Sequence, residues 1–116
     1  MLKGKHIIGV CMTKINSISH SDYLNRLHHM ARARGCKLIV FNSFADFFNK
    51  DIFDKGAAAI FDIINYDLLD VLVVHLESFH TKDVALRVIS EAKAHNVPVV
   101  IVGDCTEEIE GCFYVI

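Results

Sequence analysis

No stretch of this 116-residue chain approaches the run of roughly 18 apolar residues that a membrane span requires. The amino terminus lacks the form of a secretion signal as well. The apolar run His6–Met12 is bounded by polar residues, and no small-residue cleavage site follows it. The expectation is a cytoplasmic protein without a membrane partner. Glycine is scarce, at six residues, and none closely follows the first apolar run: Gly9 lies inside it and Gly4 precedes it. Neither a G-x-G-x-x-G dinucleotide loop nor a Walker-type phosphate loop can therefore follow that run. Thr13-Lys14-Ile15-Asn16-Ser17 is a poor match to the Thr/Ser/Gly-rich phosphate loop of a flavodoxin. A response-regulator receiver is excluded too: it needs acidic residues after strand one, an aspartate ending strand three and a late lysine. This chain offers Cys11-Met12 and His75-Leu76-Glu77, with no lysine in its last strand.

The four cysteines, Cys11, Cys36, Cys105 and Cys112, show no C-x-x-C spacing and lie in or beside expected strands, so they read as buried thiols. Cys11, between Val10 and Met12, has no neighbouring base to make it a nucleophile. The net charge of −2 argues against direct contact with nucleic acid. Charge is unevenly spread: seven of twelve Lys and Arg fall in the first 37 positions, and Glu107, Glu108 and Glu110 crowd the end. Solvated faces account for this.

What is present is a regular alternation of apolar runs and amphipathic segments. His6–Met12 has no in/out alternation and suits a strand buried on both faces. Ser19-His20-Ser21-Asp22 has the form of a capping box and predicts a helix over about 20–34. Tyr23, Leu24, Leu27, Met30 and Ala31 share its apolar face, and Gly35 supplies its left-handed end. Lys37–Asn42 reads as a second strand, followed by an aromatic loop, Ser43–Asn49. A second helical pattern runs from Asp51 through Ile64, with Gly56 inside it, and exits at Asn65-Tyr66-Asp67. Val71–His75 is the third strand. Thr81 caps a third helix with Val84, Ala85, Val88, Ile89 and Ala92 on its apolar face, ending near His95-Asn96. The single proline, Pro98, opens a fourth strand to Val102, where no ladder donor is lost. Gly111–Ile116 reads as a fifth.

The order β-α-β-α-β-α-β-loop-β predicts one α/β domain over 1–116. It is a doubly wound, mostly parallel five-stranded sheet of flavodoxin-like or Rossmann-like order 2-1-3-4-5, with helices on both faces. In such folds ligands bind beyond the carboxyl ends of the strands. An apolar strand at the very end of the chain reads as the boundary of a fragment of a longer protein. His75, Glu77 and Asp104, at neighbouring strand ends, are the one grouping with the chemistry of an acid–base or metal cluster. A cleft-edge histidine with satisfied hydrogen bonds explains His75 as well, and is the reading adopted. His28 and His29 are adjacent on a helix and cannot share a face, so they make no metal pair. No catalytic residue, metal or cofactor is expected, and the chain reads as non-enzymatic.

Four segments carry a resemblance: His6-Ile7-Ile8-Gly9-Val10; Ala31-Arg32-Ala33-Arg34-Gly35-Cys36; Asp70-Val71-Leu72-Val73-Val74; and Asn96-Val97-Pro98-Val99-Val100-Ile101-Val102-Gly103-Asp104. They resemble the strand-one Ile-Gly-Val, the helix end, the Asp-Gly-(Leu/Ile)-Ile third strand and the Pro-Val-Val…Asp fourth strand of the LacI/GalR-type, periplasmic-binding-protein-like sensor domain. The likeness covers almost all of this chain but only the amino-terminal lobe of that domain. Val71 stands where glycine is usual. Phe41–Phe47 and Ile64–Asp67 also resemble sensor regions ahead of diguanylate cyclase (GGDEF) domains.

The resemblance implies a small sugar-like ligand shared with a second lobe, closure of which drives an attached output domain such as a diguanylate cyclase. The alternative is the effector-binding part of a LacI-family transcriptional regulator. A stand-alone α/β enzyme using His75, Glu77 and Asp104 ranks behind both. The implied ligand contacts are Met12, Thr13, Asn16, Ser43, Phe44, Glu77, Ser78 and Asp104. Pairing of two subunits through the first helix makes His29 and Arg32 interface residues and the protein a homodimer. With half a cleft, this chain is expected to bind sugars weakly: a thermal-shift screen should show no shift of several degrees with any of them. Light scattering at high concentration should show self-association rather than a clean monomer.

Overall fold

The computed structural model describes residues 6–13, 17–43, 59–79, 83–103 and 112–115. Strands β1 (Ile7–Thr13), β2 (Lys37–Ser43), β3 (Val71–His75) and β4 (Val99–Val102) form a parallel sheet in the order β2-β1-β3-β4. These strands are the apolar runs of the sequence, and their composition follows from burial on two faces. On one face Cys11, Leu72, Val74, Val99 and Ile101 belong to a core with Ala85, Val88, Ile89 and Ala92 of a helix at Asp83–Ala94 (α2). On the other, Val10, Met12 and Val73 pack with Leu24 and Leu27 of α1 (Ile18–Ala33). A further segment, β5 (Phe113–Val115), runs parallel to β4 with Val100 opposite Phe113.

Gly9 stands inside β1 where two leucines pack over the strand. A Cβ there would lie 2.9 Å from Leu69 Cδ1 and 3.2 Å from Leu72 Cδ1, so a larger residue would displace these methyl groups. Asp70 secures that entry. Its amide donates to the Ile7 carbonyl at 2.9 Å, and its carboxylate accepts from the Ile7 amide at 2.7 Å. Gly35, at φ +72, supplies the left-handed turn that ends α1 as expected. Asn96, at φ 60, does the same for α2.

Several local expectations need correction. α1 begins at Ile18, with Ser17 in an extended conformation as its N-cap residue and no side-chain cap bond. Ser19 and Asp22 thus lie inside the helix and form no capping box; the chain is already helical where the box would need extended backbone. Met30, placed on the apolar face, is 55% exposed, because Leu24, Leu27 and Ala31 already fill the contact with the sheet. β1 extends one residue further than read, to Thr13, paired with Ser43 of β2. Most of the second expected helix, and Thr81, lie outside the described residues. Its described end, Ala59–Ile63, is a 3-10 helix, and a second 3-10 turn follows at Tyr66–Leu68. Phe61 is buried there, with its ring 5.6 Å from that of Phe79. Of the three described cysteines, all free, Cys11 is buried while Cys36 and Cys112 are half-buried.

Tyr66 stacks on His95 at 5.3 Å, and burial pushes its phenol up to about 12. Cys11, Glu91 and Asp62 add to the rise, against Arg87. The folded chain therefore holds a proton that the unfolded chain releases at its ordinary value of 10.0. Its contribution to stability is complete below that pH and is lost as pH rises through about 12. Urea unfolding followed from pH 9 to 12 should accordingly show a shallower alkaline decline in Tyr66→Phe than in the parent chain. Equal slopes would show that Tyr66 contributes nothing to that decline.

Candidate functional site

The carboxyl ends of β1 and β3 lie side by side, and the chain leaves them in opposite directions: α1 leads back to β2, and α2 leads on to β4. This is the switch point at which a doubly wound sheet opens a crevice. It follows from strand order alone, since β1 is flanked by β2 on one side and β3 on the other.

Side-chain hydrogen bonds tie the two strand ends together. The Thr13 amide donates to Ser78 Oγ at 2.9 Å, and Thr13 Oγ1 donates to the Ser78 carbonyl. Ser78 Oγ in turn donates to the His75 carbonyl at 2.7 Å. Ser78 can reach Thr13 because β3 tightens into a 3-10 turn, Leu76–Ser78, directly after His75. Thr13, Ser43, His75 and Ser78 are all buried. Each polar group in the tie therefore exchanges water for a protein partner, and its loss would leave a buried donor unmet.

Aromatic rings from α1 close over this floor. The His75 ring lies 5.1 Å from that of His20, edge to face, and 4.8 Å from that of Tyr23. His20 Nδ1 donates to the Thr13 carbonyl at 3.1 Å. Burial raises the Tyr23 phenol above its usual value. His20 and Tyr23 stand three residues apart on one helix face, next to β1, and this spacing was the available signal for a shared role. Sequence reading assigned them instead to a cap and to the core.

The structure brings together some of the expected ligand residues. Thr13, Ser43 and Ser78 meet at the carboxyl edge, engaged mainly in holding it. Met12 is wholly buried beneath α1, because at that register its side chain points into the sheet's α1 face. Glu77 lies in the 3-10 turn. Its side chain, with Asn16, Phe44 and Asp104, falls outside the described residues. His29 and Arg32 are exposed on α1. Of the acid–base grouping, only His75 is described in full, and it is packed between rings. Burial holds the Cys11 thiol far above its usual value, which suppresses the thiolate a nucleophile needs. Among the described residues no group of three or more His, Cys, Asp or Glu is placed to hold a metal ion. Among the same residues no helix is long and apolar enough to cross a membrane.

Ser78→Ala removes the acceptor of the Thr13 amide and should destabilise the fold by about 1–3 kcal/mol, with faster hydrogen exchange at Thr13. A urea midpoint within error of the parent would mean that the tie carries no stability.

No protein-family profile matches this chain. No curated protein sequence matches it. Solved structures do. A Lac repressor dimer bound to operator and the anti-inducer ONPF superposes with a TM-score of 0.63 at 14% identity, covering 87% of this chain and 32% of that one. A dimeric Lac repressor with a C-terminal deletion gives 0.55 at 13% identity, covering 83% and 32%. This chain spans about a third of the length of those repressor chains. At these identities the likeness is one of fold, and the chain has a LacI-like α/β fold.

Proposed function

We propose that this chain is the amino-terminal lobe of a two-lobe small-molecule sensor, whose closure on a ligand is transmitted to an output domain. The observation that carries the reading is the switch point at the β1 and β3 ends, within a fold shared with Lac repressor. The ligand is a sugar-like metabolite. Its contacts on this lobe are the residues that follow the strands in sequence, Asn16, Phe44, Glu77 and Asp104, over a floor of Thr13, Ser43 and Ser78 backed by Met12. The chain acts as a binding module without a cofactor, and catalysis, where present, belongs to the rest of the protein. Phe113–Val115 serves as the fifth strand of the sheet.

Two outputs fit such a lobe. The neighbouring repressor dimer binds operator, which favours the effector-binding part of a transcriptional regulator. A diguanylate cyclase output rests on the resemblance of the Phe41–Asp67 region. In either case two copies pair through α1, with His29 and Arg32 at the contact, and the protein works in the cytoplasm.

Ligand drives closure only by its preference for the closed state; moving a population from 1:99 to 99:1 takes about 5.5 kcal/mol. The test is a metabolite screen on the full-length protein by calorimetry, with small-angle scattering before and after the best hit. Binding accompanied by a smaller radius of gyration is expected, and Asp104→Ala should weaken it. Binding with no compaction would overturn the closure mechanism.

A further inference from the structure

At the opposite end of α1, far along the helix from the carboxyl edge, the chain reverses between helix and strand. The Arg34 and Cys36 amides both donate to the Ala31 carbonyl, at 3.1 and 2.9 Å, and the Gly35 amide donates to the Arg32 carbonyl at 3.1 Å. The last-turn carbonyls of the helix are thereby occupied, and their partial negative charge is largely answered by the cap. Beside this turn lies a cavity of about 440 Å³, lined by His28, Ala31, Arg32, Gly35, Cys36, Lys37 and Leu38. That volume is within the roughly 300–1,000 Å³ of ordinary small-ligand pockets.

The lining is chemically one-sided. Arg32 and Lys37 are permanent cations, His28 adds an imidazole, and no carboxylate is among the lining residues. Arg32 and His28 stand four residues apart, on one side of the helix. In a chain of net charge −2, two cations at one cavity with no carboxylate among its lining residues are a local excess. A single carboxylate would answer one of them. A phosphate group, carrying about −1.5 to −2 charges at neutral pH, answers both and offers several acceptor oxygens to a guanidinium fork and an ammonium. Ala31 and Leu38 supply apolar wall for a carbon skeleton. Gly35 leaves the space open: a Cβ built on it meets nothing within 4 Å.

The geometry points to a second binding site in this cavity for a phosphate-bearing ligand, either a phosphomonoester or free phosphate. It lies apart from the proposed cleft, and occupancy of the two sites is independent unless the output couples them.

The test is NMR titration of this chain with glucose 6-phosphate, inorganic phosphate and glucose. Saturable shifts at the Gly35, Cys36 and Leu38 amides are expected with the two phosphates and not with glucose. Tighter binding of glucose 6-phosphate assigns the site to a phosphomonoester, and equal binding assigns it to the free anion. Lys37→Gln should weaken binding at least about tenfold. So should Gly35→Asn, since asparagine tolerates the left-handed turn while filling the open space. Arg32 is shared with the proposed pairing face and Lys37 is outside it, so an unchanged sedimentation profile in Lys37→Gln separates the effect from dimerisation. Absence of saturable binding would overturn the proposal. So would undiminished binding in a folded Lys37→Gln chain, or shifts confined to Thr13 and Ser78. None of these outcomes bears on closure of the cleft.

Discussion

β1 hydrogen-bonds to two neighbours at once, β2 along its whole length and β3 along Ile8–Cys11, and the rest of the structure depends on that double pairing. A strand paired on both edges and covered on both faces is apolar over most of its length, as Val10, Cys11 and Met12 are, and its one buried polar residue, Thr13, is hydrogen-bonded. It also leaves room for its neighbours' side chains, and at Gly9 the Leu69 and Leu72 methyl groups occupy that room. Parallel pairing then forces each connection to cross over, and right-handed crossovers put α1 on one face and α2 on the other. The two cores, one under each face, are consequences of this single strand.

The same pairing creates the crevice. Because the connections leave β1 and β3 in opposite directions, the two carboxyl ends part into a crevice. The buried Thr13–Ser78 tie holds those ends together, and the His20, Tyr23 and His75 rings cover the tie from the α1 side. The polar groups of that floor are engaged with one another. In the proposed sensor that floor is the fixed platform, and the residues that follow the strands do the recognising. The cavity at the other end of α1 is built differently, from side chains around a turn.

Strand identities, the two helix ends at Gly35 and Asn96, and the order 2-1-3-4 were legible in the sequence. Each depends on a local pattern: an unbroken apolar run, a residue that tolerates positive φ, or a strand–helix–strand succession with one allowed hand. The start of α1 was less legible. Ser17 and Ser19 are both acceptable caps by residue type, and only the extended backbone at Ser17 distinguishes them. The candidate site was legible as a place and less so as a set of side chains. Met12 and Thr13 were read alike as ligand contacts, yet one is core and the other is bonded across to Ser78.

Composition, periodicity and the absence of glycine-rich loops determined by themselves that this is a parallel α/β domain without a nucleotide-phosphate loop after β1. Those properties are carried by residue type and short-range spacing. Tertiary structure decided which polar residues face one another: Thr13 meets Ser78 across 65 positions, and His75 meets His20 and Tyr23 of another element. Such contacts depend on strand register and helix rotation, and no local stretch of sequence encodes either.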